Sequence, residues 1–188
     1  SNYLLNRNNI FSMFSQLFFS KYYFKKNNCD LVYVPGGIFL SSFNPFVTMS
    51  QNMLPFDENE RIKFQFIKRL KFRLIRFLQT KTFLKADGLI FLNSNAKNII
   101  LNQIGSVKNC IVIPHGIKQQ KNNEYTYKSK NFEILYVSDF LPYKNHYNVV
   151  KAIVELINEG YEISLTLIGQ TGSPDYNKIK ILLNKNEN

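Results

Sequence analysis

FEILYVSDFLPYKNHYNVVKAIVELINEGYEISLTLIG, residues 132–169, is the stretch on which the fold turns. Its first apolar run, Ile134-Leu135-Tyr136-Val137, reads as a buried strand. Val149, Val150, Ile153, Leu156 and Ile157 then share one helical face, and Gly160 ends the helix. Ile163-Ser164-Leu165-Thr166-Leu167-Ile168 is the next strand, closing at Gly169. Strand, helix and strand in that order make a parallel crossover unit, and residues 174–186 read as the helix that follows. Open parallel sheets bind ligands beyond the carboxyl ends of their strands, where loops and helix N-termini converge. Loop 138–145 brings Lys144 to such a place, beside helix amides whose dipole suits a phosphate. Gly169 and Gly172 stand at the next strand end, where backbone can approach a ligand closely.

The same grammar extends upstream. Residues 8–26 read as a helix leading to the short strand Leu31-Val32-Tyr33-Val34, which ends at the turn Pro35-Gly36-Gly37. Phe46-Val47-Thr48-Met49 is a second extended run. Asp57, Glu58 and Glu60 favour a helix N-terminus, and the helix they open is expected to continue to about Lys85. Leu89-Ile90-Phe91-Leu92 suits a strand covered on both faces, Asn93-Ser94 supplies a helix cap, and Gly105 is placed to stop that helix as a left-handed cap. Cys110-Ile111-Val112-Ile113 is the following strand, closed by Pro114-His115-Gly116. Residues 117–130 are polar and aperiodic and read as a linker.

Four of these segments carry a resemblance. Val137-Ser138-Asp139-Phe140-Leu141-Pro142-Tyr143-Lys144-Asn145 resembles the loop Val-Gly-Arg-Leu-x-Pro-x-Lys-Gly of GT-B glycosyltransferases. Leu167-Ile168-Gly169-Gln170, with Gly172 beyond it, resembles the next Ile-Gly-x-Gly turn of the same enzymes. Upstream, the run from Ala86-Asp87-Gly88 to Asn93-Ser94, followed by Ile111-Val112-Ile113-Pro114-His115-Gly116-Ile117, is similar to their passage into the interdomain linker. Each motif alone is weak, but four in the same order and at fitting separations are specific. The match covers most of residues 84–172, and 30–60 less clearly, within the retaining family-four group.

The resemblance implies an α/β GT-B fold: residues 1–116 from an acceptor-side Rossmann-like domain, 117–130 a linker, and 131–188 the start of a nucleotide-sugar-binding one. It implies transfer of a hexose, with retention, from a nucleoside diphosphate sugar to a glycan or lipid-linked saccharide, without an obligatory metal or other cofactor. Lys144 would contact the donor diphosphate, and Ser138, Asp139, Gly169 and Gly172 would line the nucleotide loop. Gly36, Gly37, Asn93 and Ser94 would border the acceptor. Asp139 departs from the pattern, because relatives carry Arg there; a carboxylate cannot bind phosphate and could instead pair with Lys144. The chain also lacks the family's distal acidic motif and its first Gly-rich loop, so it reads as a piece of a longer enzyme that would not turn over alone.

Blander readings stand beside these. Lys144 can be a solvated lysine at a helix start, Gly36, Gly37, Gly169 and Gly172 plain turn residues, and Asn93-Ser94 only a cap. His115 and His146 have no carboxylate or Ser at triad spacing and read as structural or solvent-facing. Cys29 and Cys110 have no metal-ligand spacing and read as buried free thiols.

Charge supplies a separate signal. The chain carries a formal net charge of +11 with 45% apolar residues. Nine cations between Arg61 and Lys85 stand without an acid among them. They are interleaved with Phe64, Phe66, Phe72 and Phe77, and over residues 61–85 the apolar side chains spread around most of a helical projection. Three readings fit: a core helix with snorkelling lysines, an anionic membrane surface, or nucleic acid. A non-catalytic basic module and an inactive gene fragment are therefore the rivals of the enzyme reading. No apolar run is long enough to span a bilayer and no secretion signal is present, so the expectation is a cytoplasmic protein, at most peripheral on the membrane.

Overall fold

In the computed structural model, which describes residues 17–117 and 132–184, every strand pairs in parallel. The chain divides into two compact units, residues 1–118 and 119–188. The first contains α1 (Ser20–Lys26), β1 (Val32–Val34), β2 (Phe46–Ser50), α2 (Glu58–Arg61), α3 (Phe66–Lys85), β3 (Gly88–Phe91), α4 (Ser94–Ile104) and β4 (Cys110–Val112). Its sheet runs β1-β2-β3-β4 in sequence order, in register at Val34↔Thr48, Thr48↔Leu89 and Leu89↔Cys110. Parallel neighbours need a crossover, and helices α2 and α3, then α4, supply it on either side of β3. All four carboxyl ends therefore meet one edge of the sheet.

Phe56, Phe83, Leu89, Phe91, Ala96 and Ile100 form the core of this unit. The rings of Phe56 and Phe83 stack at 5.9 Å, and each such buried side chain contributes about 1.5–3 kcal/mol. In β3 only Leu89 and Phe91 are buried, while Gly88 and Ile90 are half-buried, so the strand is less completely covered than its unbroken apolar run suggested.

The basic helix differs from its expected course. Asp57 caps a single turn by accepting from Glu60 N at 3.1 Å, and α2 stops at Arg61. Phe64 then turns into the interior against Phe72, with ring centroids 5.3 Å apart, and α3 starts afresh at Phe66. Burial of one aromatic side chain thus interrupts a helix in which no Gly or Pro marks a break. Asn93 does cap α4, accepting from Ala96 N at 2.7 Å. Gly105 ends that helix with φ +87°, a positive value that suits glycine, but its ψ of −162° lies outside the left-handed helical conformation. Cys29 and Cys110 are free but half-buried rather than buried.

The second unit contains β5 (Phe132–Val137), a 3₁₀ turn at Pro142–Lys144, α5 (His146–Asn158), β6 (Ile163–Ile168) and α6 (Pro174–Asn184). β5 and β6 pair in parallel from Phe132↔Ile163 to Val137↔Ile168. Phe140, Val150 and Ile179 form its core. β5 is not the buried strand expected: Phe132, Leu135 and Val137 are 60, 62 and 64% exposed. Among the described residues two strands offer the helices one face to cover and leave the other bare. Most of the expected linker, and the part of the first helix before residue 17, lie outside the described residues.

Candidate functional site

The register Val137↔Ile168 sets loops 138–145 and 169–173 side by side at the carboxyl ends of β5 and β6. Ser138 N donates to Ile168 O at 2.8 Å, extending the ladder one step into the loops. At that crossing Gly169 lies so close to Ser138 that a Cβ would collide with the Ser138 carbonyl and meet Asp139 Cα at 3.2 Å. Only glycine fits there, and the tight neighbour is the protein's own backbone. Gly172 has open space around it but holds φ +89°, so its role is conformational.

Two side chains, Asp139 and Ser173, fasten the two loops to each other, and two more, His146 and Tyr136, hold the backbone of loop 138–145. Asp139 Oδ1 accepts from Gln170 N at 3.1 Å. The carboxylate thus binds a backbone amide of the neighbouring loop, and no ion pair joins it to Lys144 among the described residues. Ser173 Oγ donates to Phe140 O at 2.8 Å and accepts from Tyr176 N at 3.1 Å, tying loop 138–145 to the start of α6. His146, 2% exposed, lies 3.2 Å through Nε2 from Ser138 O and packs between Tyr136 and Phe140, with centroids at 4.5 and 4.6 Å. Its Nδ1 is buried without a hydrogen-bond partner among the described residues. Tyr136 Oη donates to Lys144 O at 2.8 Å, fixing the backbone that carries the lysine.

Around this frame the chemistry is left open. Asn145 occupies the N-cap of α5 with φ 57° and ψ 32°, and its side chain accepts from Asn148 Nδ2 at 2.9 Å rather than capping a helix amide. The first-turn amides of a thirteen-residue helix are thus free of a side-chain cap, where the dipole favours an anion. Lys144 is exposed beside them, its Nζ 5.3 Å from the centre of the Tyr143 ring. The arrangement offers an anion a positive charge and a set of amides, with the backbone beneath them held by Tyr136, His146, Asp139 and Ser173.

The residues expected on the acceptor side lie in the other unit. Gly36 and Gly37 follow β1, and Asn93 and Ser94 follow β3, so both pairs sit at the carboxyl edge of the four-stranded sheet. Gly37 has φ +72°, and a Cβ there would meet Gln79 Nε2 at 2.9 Å and Met49 O at 3.2 Å. Asn93 is spent on its cap. Reading the sequence did not find Ser50 and Gln79 near this edge, whose Oγ and Oε1 are buried and unpartnered among the described residues. Nor did it find Tyr136 and Ser173, whose bonds span residues no local motif connects. Among the described residues no three His, Cys, Asp or Glu side chains are grouped to hold a metal.

No family model matches the chain, and no curated protein matches it. Among solved structures it is similar to the crystal structure of TarM, with a TM-score of 0.58 and 16% identity over 87% of this chain. The chain spans 33% of the length of that protein. At this identity the likeness concerns fold alone: the chain is an α/β protein with parallel sheets that resembles part of a GT-B glycosyltransferase.

Proposed function

We propose that this chain is part of a retaining glycosyltransferase, with the donor's diphosphate bound at the first turn of α5 and Lys144. The hexose would pass from a nucleoside diphosphate sugar to a hydroxyl of a glycan or lipid-linked saccharide in the cytoplasm. Residues 131–188 would belong to the donor domain and 1–116 to the acceptor domain, with Gly36, Gly37, Asn93 and Ser94 on the acceptor side. The observation that carries this reading is the pair of loops locked together at the carboxyl ends of β5 and β6, beneath helix amides without a side-chain cap. The fold-level likeness to a GT-B enzyme supports it.

Chemically, negative charge grows on the diphosphate as the glycosidic bond to the sugar breaks. A fixed cation and preorganised amides stabilise that charge more than they stabilise the bound donor, which lowers the barrier. Asp139 supplies no charge for this purpose. Because its carboxylate is engaged by Gln170 N, it acts on the loop and not on the phosphate, which leaves Lys144 as the cation of loop 138–145. Titration calorimetry with nucleoside diphosphates tests the assignment. Lys144→Ala is expected to weaken binding slightly more than tenfold, about 1.5 kcal/mol. An unchanged dissociation constant would remove Lys144 from the site.

A further inference from the structure

α3 carries an apolar stripe towards solvent in addition to the side it packs on the core, which an ordinary surface helix does not. Successive residues are about 100° apart, and on that projection the exposed apolar side chains gather instead of scattering. Phe66, Ile67, Leu70, Leu74, Phe77 and Leu84 are 74, 81, 58, 56, 54 and 44% exposed. They fall within an arc of about 100° and form a stripe about 27 Å long. On the opposite side Gln79, Thr82 and Phe83 are buried. Two polar side chains thus point inward while six apolar ones face out. The orientation is fixed, since Phe39 N donates to Thr82 Oγ1 at 3.0 Å and Thr82 Oγ1 donates to Leu78 O at 3.0 Å.

The cations of this region separate on inspection. Arg61 is buried and lies 3.5 Å from Glu58, and Lys63 pairs with Glu60 at 2.6 Å. The other seven lie on α3, and none forms an ion pair among the described residues. By the same projection Arg69 and Arg73 flank the stripe on one side and Lys71 and Lys85 on the other. Lys81 stands within it, its Nζ 4.3 Å from the centre of the Phe77 ring.

We propose that α3 lies flat on an anionic lipid bilayer, with the stripe at the headgroup–acyl boundary and the flanking cations among the phosphates. This inference is independent of the sugar-transfer reading. Charge complementarity selects the occupant. A second copy packed on the same stripe would set uncompensated cations against their equals, and a nucleic acid would leave the apolar side chains in water. An anionic bilayer satisfies both the apolar stripe and the charge.

Co-sedimentation of the chain with vesicles of equal parts phosphatidylglycerol and phosphatidylcholine tests it, with phosphatidylcholine vesicles as the reference. Binding to the anionic vesicles is expected at low salt, with weakening as salt rises. The double variant Leu70→Gln, Leu74→Gln and the quadruple variant Lys71→Gln, Arg73→Gln, Lys81→Gln, Lys85→Gln are each expected to lose about tenfold or more in partitioning. All six side chains are exposed, so circular dichroism is expected to show unchanged folding. Three results would overturn the proposal: no binding to anionic vesicles at low salt, an unaltered affinity of the leucine variant, or a wild-type dimer that this variant dissociates. The second would mark a purely electrostatic partner such as nucleic acid, and the third a second copy of the chain.

Discussion

Two aspartates hold the two units at opposite ends of their strands. In the first unit Asp87 works where strands begin: Oδ2 accepts from Phe46 N at 3.1 Å, at the start of β2, and Oδ1 from Lys108 Nζ at 2.9 Å. Asn109 Nδ2 donates to Asp87 O at 2.9 Å, which adds the entry to β4. In the second unit Asp139 works where strands end, with Gln170 N, alongside His146 and Ser173. The entry edge of a parallel sheet carries no ligand, so its polar bonds serve stability; bonds at the exit edge hold the loops that meet a ligand. The same residue type after or before a strand therefore carries different consequences, and substitution separates them.

Gly169→Ala is expected to have the largest effect, because its Cβ collides with backbone that cannot swing aside as a side chain would. Urea denaturation should show a loss of about 1–3 kcal/mol. Gly172→Ala, with open space and only its positive φ to strain, is expected to cost about 1 kcal/mol. Equal losses at the two positions would show that the loops do not depend on their close approach.

Asp87 is expected to give a smaller, pH-dependent effect. The hydrogen bond from Lys108, then that from the Phe46 amide, hold its carboxyl below the ordinary value of 3.8. A group whose folded value is depressed contributes stability above its unfolded value and loses it as pH falls through the folded one. The contribution, about 1 kcal/mol for a partly exposed pair, should be complete at neutral pH, begin to fall as pH drops past the ordinary value of 3.8, and be lost as pH passes below the lowered folded value. Asp87→Asn should therefore be less stable than the wild type at pH 7, and the difference should shrink as pH falls from 4 towards 2. A constant difference across that range would contradict the role given to Lys108.

The sequence made the strands legible to within a residue or two, because apolar runs bounded by Gly, Asn or Pro have few other uses. The strand expected at 89–92 occupies Gly88–Phe91, and that at 46–49 occupies Phe46–Ser50. The cap at Asn93 was equally plain, since its side chain bonds three residues ahead. The break at 62–65 was not legible, because it depends on where Phe64 finds a cavity and not on any breaker residue. The apolar stripe of α3 was hidden for another reason: Phe72, Ile75, Leu78 and Phe83 put apolar side chains on the rest of the same helix, so only the burial of that other side reveals which apolar residues face out. In the loops, Lys144 could be placed from its motif, whereas the contributions of Tyr136, His146 and Ser173 arise from pairings across the fold. Asp139 was expected not to bind phosphate and to be able instead to pair with Lys144. Its bond to Gln170 N depends on the register of β5 and β6, which one strand's sequence does not contain.

The most direct test of the central claim is an amide-resolved NMR titration of the nitrogen-15-labelled chain with a nucleoside diphosphate. The account predicts that the largest shift changes fall on His146, Tyr147 and Asn148, in the first turn of α5, and that they collapse at the same ligand concentration in Lys144→Ala. Changes confined to the four-stranded sheet and its loops, with the amides of α5 unmoved, would contradict it.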